Sequence, residues 1–454
     1  MLKVRLCSKK FLAVLFIFFS ITSFAQDNSP YSRYGLGDMT PQTNITTRGM
    51  GSVSAAYADS LGLSINFENP ASYSQFLAVR EARSKKLQYG RVILDVGLNF
   101  SNRTLITPNT PDRFTASDGY FSYLQVGLPL KKNWGLSFGL RPLSRISYMI
   151  NKYERLTDPI TALPIDSALT EFRGTGGSYL PTIGTGFAIG NLSLGLNFGY
   201  LFGTKATTTY RSFINDSVVY YSSDHTTSTS FGNTFFNAGL LYKIKFNKNT
   251  LLRVGVTGNW QQTIKASQNI LRQTFTRGAA GDELRIDSVF EQNNVKGEII
   301  YPAMYKVGLA LEHSKSDLSG WLIEADVNQS KWNDYRYFGA VDSVKDNMQL
   351  HVGIEIRPRA KENYFSHVAY RFGFYGGNDY INIEDKLPVY GASFGLGLPI
   401  RNFNRLSPGQ FTMLNLALEY GKRGNDNNLL KENLFRFSAS FNLSDLWFGK
   451  KKYD

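Results

Sequence analysis

One cysteine occurs in 454 residues, and it is Cys7. It sits in the basic start of an export signal, where Lys3, Arg5, Lys9 and Lys10 surround it and an apolar run from Phe11 to Ile21 follows. Ser23-Phe24-Ala25 then supplies small residues for cleavage before Gln26. A mature chain without cysteine excludes disulfides and thiolate metal sites, and Cys7 stands too early for a lipid anchor. Also missing is any later apolar run that approaches the roughly 20 residues of a membrane-spanning helix. Removing the signal with its four cations takes the formal charge from +14 to +10. The remaining cations are scattered and accompany no nucleic-acid motif, which excludes nucleic acid as a partner. Lipid phosphates or anionic solutes suit an exported basic chain better. The runs Arg83-Ser84-Lys85-Lys86 and Lys450-Lys451-Lys452 read as solvated ends.

Aromatic residues are abundant, at 14%, and there are 41 glycines. After residue 90 nearly every segment alternates with period two, which marks strands with one apolar and one polar face. Leu192, Leu194, Leu196, Phe198, Tyr200 and Phe202 fall on one side of their segment, with Ser193, Gly195, Asn197 and Gly199 on the other. Residues 92–100 and 435–443 repeat the pattern. A soluble sandwich would also alternate, so the connections decide. Short polar turns stand at Lys131–Asn133, Gly190–Asn191, Asn247–Asn249, His313–Ser319, Pro358–Asn363 and Arg401–Gln410. Longer polar segments intervene near 104–117, 151–177, 204–230, 267–298, 333–346, 377–388 and 422–432.

Short turns at one end and long loops at the other describe a transmembrane barrel with periplasmic turns and external loops. The spacing predicts an all-β fold: 14 antiparallel strands, the even number of a closed single-chain barrel. Strands are expected at 91–103, 118–130, 133–150, 178–190, 191–204, 231–246 and 250–266, then 299–312, 320–332, 347–357, 364–376, 389–400, 411–421 and 433–446. Trp134, Trp260, Trp321, Trp332 and Trp447 all fall near strand ends, where an aromatic girdle meets the membrane interface. The domains are then a signal peptide (1–25), an N-terminal segment (26–89) and the barrel (90–454).

Residues 26–89 are too few for an independent core. The stretch RGMGSVSAAYADSLGLSINFENPASYS, Arg48 to Ser74, is small-residue-rich and closes on Asn69-Pro70-Ala71, whose proline imposes an extended or turn conformation. Packed inside the tube, it would serve as a hatch. Gly49-Met50-Gly51 lacks the third glycine of a dinucleotide loop and follows no strand. Arg48, Gly49, Gly51, Ala58-Asp59 and Asn69-Pro70-Ala71 together resemble the N-terminal hatch of the long-chain fatty-acid transporter family of outer-membrane proteins. The resemblance implies a monomeric 14-stranded barrel plugged by this segment, in the outer membrane of a Gram-negative-type bacterium, among lipid and lipopolysaccharide. It also implies uptake of small hydrophobic molecules, captured by the third and fourth external loops and released sideways at a kink in the third strand. The matching loops are 204–230, rich in Thr, Ser and Tyr, and 267–298, which holds Ile270, Leu271, Phe275, Val289 and Phe290. Some barrels of this kind instead serve protein secretion or assembly machines.

In the third strand Arg141-Pro142 interrupts a clean alternation. Proline donates no ladder hydrogen bond, so this pair is the candidate lateral gate. By parity Asp95, Arg145, Lys243, Arg253, Lys306, Glu324, Asp326, Glu419 and Arg436 also point inward. A polar cluster is expected on the tenth and eleventh strands, with Glu355 opposite His367 and His351 opposite Arg371. A carboxylate beside an imidazole is an acid–base motif, yet no nucleophile is placed to complete a catalytic set. Ion pairs that hold the hatch are the simpler reading. The expectation is a transport protein rather than an enzyme, without cofactor or metal. The alternative is a non-transporting subunit or adaptor of a secretion or assembly machine, with protein partners.

Overall fold

A computed structural model describes residues 29–447, except 60–62, 81–86, 109–112, 158–159, 163, 215–220, 278–282, 316, 318, 384 and 401–409. The signal peptide, Cys7, the cleavage point, most of the turn at Arg401–Gln410 and the basic runs at 83–86 and 450–452 lie outside the described residues.

Fourteen antiparallel strands form the wall. They are β1 (Leu87–Ile106), β2 (Arg113–Lys131), β3 (Trp134–Thr157), β4 (Pro164–Ile189), β5 (Leu192–Ile214), β6 (Ser222–Lys245) and β7 (Thr250–Asn259 with Gln262–Arg277). There follow β8 (Glu283–Tyr301 with Met304–Ser314), β9 (Gly320–Ser330), β10 (Asn347–Arg357), β11 (Ala369–Ile383), β12 (Asp385–Ile400), β13 (Phe411–Arg423) and β14 (Lys431–Trp447). β14 pairs with β1 from Trp447↔Gly90 to Lys431↔Ile106, which closes the tube. Closure removes the two outer edges of the sheet, which lipid requires because an unpaired amide there finds no water.

Burial inverts that of a soluble protein. On β5 Leu194, Leu196, Phe198, Tyr200 and Phe202 are 36–49% exposed, whereas Ser193 and Asn197 are 1–2% exposed. The apolar face therefore looks outward to lipid and the polar face looks into an occupied lumen.

The wall is taller than the alternation predicts. β5 continues from Phe202 to Ile214, about 40 Å of strand at ~3.3 Å per residue. Most of 151–177, 204–230 and 267–298 is strand as well, not loop. Above the membrane neither face of a strand needs to be apolar, so the period-two signal fades while the Thr-rich backbone stays paired. The tryptophans also divide. Trp134, Trp260 and Trp447 stand exposed at 39–52%, but Trp332 is only 1% exposed, on a short 3-10 helix (Trp332–Asp334) that folds inward. It belongs to the interior and not to the girdle.

Candidate functional site

The N-terminal segment runs through the lumen because the wall makes room for its backbone. A Cβ at Gly195 would lie 2.2 Å from the Pro70 carbonyl carbon, one at Gly239 2.0 Å from Asn69 Oδ1, and one at Gly255 2.0 Å from the Ala55 oxygen. At Gly353 it would meet the Met50 oxygen at 2.2 Å, and at Gly373 the Gly51 nitrogen at 1.9 Å. These glycines sit on β5, β6, β7, β10 and β11, and so ring the lumen. Small residues on the segment and glycines on the wall are two halves of one fit.

Polar groups then fix the depth of the segment. Asp326 Oδ2 accepts the amides of Ser54 and Ala55 at 2.6 and 2.8 Å, and Glu324 Oε1 accepts that of Ala56 at 2.9 Å. Arg48, 1% exposed, donates to Asn99 Oδ1 (2.6 Å), Ser122 Oγ (2.7 Å) and the carbonyls of Thr43 and Pro41 (2.8 and 3.1 Å). It pins the segment to β1 and β2. Asn69 Oδ1 caps the 3-10 helix Pro70–Gln75 by accepting the Ala71 amide at 3.1 Å, with Pro70 at the first helical position. Its Nδ2 donates to the Ala55 oxygen at 2.6 Å, which folds the segment back on itself. Asp59 Oδ2 accepts the Leu63 amide at 3.0 Å.

At Pro142 the wall is interrupted. β2 and β3 pair from Lys131↔Trp134 only as far as Leu124↔Leu140. Beyond that point no pairing between them occurs among the described residues. On its other side β3 stays paired with β4, with an irregularity between Pro142 and Ser144. Residues 29–42 cover the released edge. Asp38 and Met39 pair with Arg145 and Ser144, Thr40 donates its amide to Leu143 O (3.0 Å) and its hydroxyl to Pro142 O (2.7 Å), and the Ser29 amide reaches Ser147 O (3.1 Å). Arg141 is buried and donates Nε to Gln42 Oε1 at 2.9 Å, its guanidinium 5.1 Å from the centre of the Phe67 ring. Across the interruption Arg145 pairs with Asp118 and lies 4.4 Å over the Tyr120 ring.

Ion pairs hold this strap. Arg103 bonds Asp38 at 2.6 Å and Glu432 at 2.7 Å, while Arg423 bonds Asp379 (2.9 Å), Asp38 (3.1 Å) and Glu432 (3.3 Å). Burial would raise the Asp38 carboxyl, but the two guanidiniums outweigh it and hold it well below the usual carboxylate range. Ser29 Oγ donates to the other oxygen of Glu432 at 2.6 Å. Above the strap the segment 331–346 folds over the mouth. Trp332 stacks on Tyr380 with ring centres 4.2 Å apart, and Asp342 accepts the Gly35 amide at 2.7 Å.

The polar cluster assembles with a different register. Glu355 faces Arg371, with Arg371 Nε donating to it at 2.7 Å, and His351 faces Tyr375. His367 is exposed on the 3-10 helix Tyr364–His367 and bonds the Lys361 carbonyl at 2.9 Å. The connection after Pro358 winds through that helix instead of turning near residue 361, so every pair shifts. Glu355 and His367 do not meet, and the proposed acid–base pair is dissolved. His351 instead donates Nδ1–H to the Gly51 carbonyl at 2.6 Å, and Arg371 lies beside Gly49. Among the described residues no group of His, Cys, Asp and Glu is arranged to hold a metal ion.

A cavity of about 380 Å³ remains between segment and wall. Its lining includes Asp38, Glu68, Arg103, Arg141, Lys306, Glu419, Arg423, Glu432 and Arg436. Asp38 and Trp332 carried no motif in the sequence, and the glycine ring was detectable only as glycines recurring at inward positions.

A closed 14-stranded antiparallel barrel is the fold of the FadL-type outer-membrane barrels. Two solved structures share the fold at 14% identity. They are the CymD monoaromatic hydrocarbon channel (TM-score 0.51, covering 88% of this chain and 97% of that one) and a Pseudomonas aeruginosa FadL homologue (TM-score 0.50, 91% and 100%). No curated protein matches the chain. The model of the BamG family matches residues 7–454, and the chain belongs to that family.

Proposed function

We propose that this protein is a plugged outer-membrane barrel that works as a subunit of a barrel-assembly or secretion machine. The observation that carries the reading is the state of the lumen. The hatch, residues 29–79, is bonded to wall residues on nearly every side, and the remaining cavity is lined by buried charge. Apolar side chains such as Met39, Phe235 and Met304 also line it, but an apolar solute crossing it would strip solvent from those charges. The name of the family, BamG, points to a role in assembly. The test is purification of the tagged full chain from its native membrane in mild detergent. A stoichiometric complex with other envelope proteins supports the reading, and a chain that purifies alone overturns it.

A second reading rests on the interrupted wall. Arg141-Pro142 would be a lateral gate, and residues 38–42 the strap that leaves it when a small hydrophobic molecule passes into the membrane. Two of the solved structures that share this fold are described as a monoaromatic hydrocarbon channel and a FadL homologue. Flux of a labelled fatty acid separates this reading from the first.

A further inference from the structure

Beyond Leu140 the third strand carries a backbone edge that two elements can claim. β3 stays paired with β4 as far as Thr157↔Pro164, so Asp38 and Met39 meet Arg145 and Ser144 on the opposite edge, the one that faces β2. β2 continues to Arg113 alongside β1, but on the side turned to β3 it has no strand partner beyond Leu124 among the described residues. The strap therefore stands where β2 would stand in an uninterrupted wall. Carried upward, the register that ends at Leu124↔Leu140 sets Tyr120 opposite Ser144 and Gly119 opposite Arg145. Each strand has one irregularity on the way, β2 between Tyr123 and Phe121 and β3 between Pro142 and Ser144, and the two offsets cancel. Ser144 and Arg145 are the residues that Met39 and Asp38 hold. Arg145 already reaches both neighbours of Gly119. It pairs with Asp118, and its guanidinium lies 4.4 Å from the centre of the Tyr120 ring.

We propose that the strap and β2 compete for this edge of β3, so that the wall is a two-state switch: withdrawal of the strap lets β2 zip onto β3 at Tyr120↔Ser144. The states exclude each other because only one strand fits beside an edge, about 4.8 Å away. Side-chain bonds that β2 lacks give the strap the edge in this structure. Thr40 Oγ1 and Gln42 Nε2 both donate to the Pro142 carbonyl, at 2.7 and 3.1 Å, and Asp38 is bonded to Arg103 and Arg423. The membrane favours β2, since zipping removes an unbonded strand edge from a wall where lipid offers no water to bond it. The strap is also tied to the outer mouth, where the Gly35 amide donates to Asp342 and the Tyr380 hydroxyl to the Gly37 carbonyl. A shift of segment 331–346 would thus be transmitted to the wall through the strap. The switch requires neither functional reading.

Residues directly opposed on an antiparallel pair stand about 4.5–5.5 Å apart at Cα, a span that a disulfide bridges. Cys7 is the sequence's one cysteine, so introduced pairs report cleanly. Met39→Cys/Ser144→Cys reports the strapped wall, and Tyr120→Cys/Ser144→Cys reports the zipped one. Both are made in the full chain, checked for heat-modifiable folding and oxidised in detergent with copper phenanthroline. The zipped-wall pair is also placed in two strap variants, Met39→Pro and Asp38→Asn. Strap release is read separately, from the mobility of a spin label at Arg33→Cys, an exposed position. In the parent background the strapped pair should cross-link and the zipped pair should give less than a tenth of that yield. In the strap variants the label should become mobile and the zipped-pair yield should rise at least tenfold. A mobile label with an unchanged zipped-pair yield overturns the switch, because β2 then does not take the edge. Equal yields from the two pairs in the parent background overturn it as well, because the pairings are then not exclusive. A label that stays immobile in both variants shows that pairing with β3 is not what holds the strap, and overturns it too.

Discussion

His351 on β10 donates its Nδ1 hydrogen to the carbonyl of Gly51 at 2.6 Å. The bond joins a wall residue to the most constrained point of the luminal segment. Gly51 has φ +72°, and a Cβ there would lie 2.8 Å from backbone atoms of Phe374 and Val352. Gly51→Val therefore adds both left-handed strain and a clash with atoms that do not yield, about 1–3 kcal/mol for the strain alone. His351→Leu leaves a buried carbonyl unpaired, at a cost of about 1–3 kcal/mol. Both variants should keep the heat-modifiable barrel but loosen the segment. The measurement is trypsin cleavage after Arg48, which is buried in the parent and becomes accessible only when the segment leaves the wall. Unchanged protection in Gly51→Val would sink the account.

Asp38 sets a pH window for the strap. Its carboxyl is held well below the ordinary value by Arg103 and Arg423 against the effect of burial. A depressed carboxylate contributes stability that is fully present above its unfolded pKa, about 3.9, and lost as pH falls through the folded value. A spin label at Met39 should stay immobile from neutral pH down through mild acid, and gain mobility only in acid stronger than about pH 4. Asp38→Asn should be mobile at neutral pH and show no further step. Release of the parent near pH 6 would implicate another group.

The glycine ring predicts a difference between two superficially equal substitutions. A Cβ at Gly195 falls 2.2 Å from Pro70 and 2.3 Å from Ala71, whereas one at Gly376 finds Phe374 at an ordinary 3.5 Å. Gly376→Ala should leave gel mobility and thermal stability unchanged. Gly195→Ala should lower the temperature of the heat-modifiable transition and expose the segment to protease. Equal behaviour of the two would mean that the segment is not seated against β5.

What the sequence revealed follows from what the membrane enforces. Between Leu192 and Phe202 lipid demands an apolar outer face and the segment tolerates a polar inner one, so period two is complete and strand, side and register are all readable. Past Phe202 both faces are solvated, and Thr204 to Ile214 look like loop although they remain paired. The Asn69-Pro70-Ala71 ending is local chemistry, a cap followed by a proline that starts a 3-10 helix, and local chemistry shows in sequence. Glu355 and Arg371 meet only because the chain after Pro358 spends extra residues on a helical turn, and no periodicity encodes that length. Trp332 misleads for a related reason. Its place near a strand end is visible, but whether the following segment turns toward lipid or over the mouth depends on Tyr380, 48 residues away.

Pro142 separates the two functional readings. Its carbonyl holds Thr40 and Gln42 of the strap, and its ring leaves β3 without a donor at the point where pairing with β2 ceases. Pro142→Val restores an amide hydrogen and favours an extended backbone, so it should tighten the wall without disturbing the tube. If a hydrophobic solute left through this interruption, the variant would slow entry of a labelled long-chain fatty acid several-fold. For a plugged subunit, cells carrying the parent, the variant or no copy at all take up the label at the same rate, and this is the result we expect. Co-purification should then register any effect of the substitution, because a strap more firmly seated on β3 changes what the outer wall offers a neighbour. Parent-dependent uptake that Pro142→Val abolishes, with partners retained, would move the assignment to a channel.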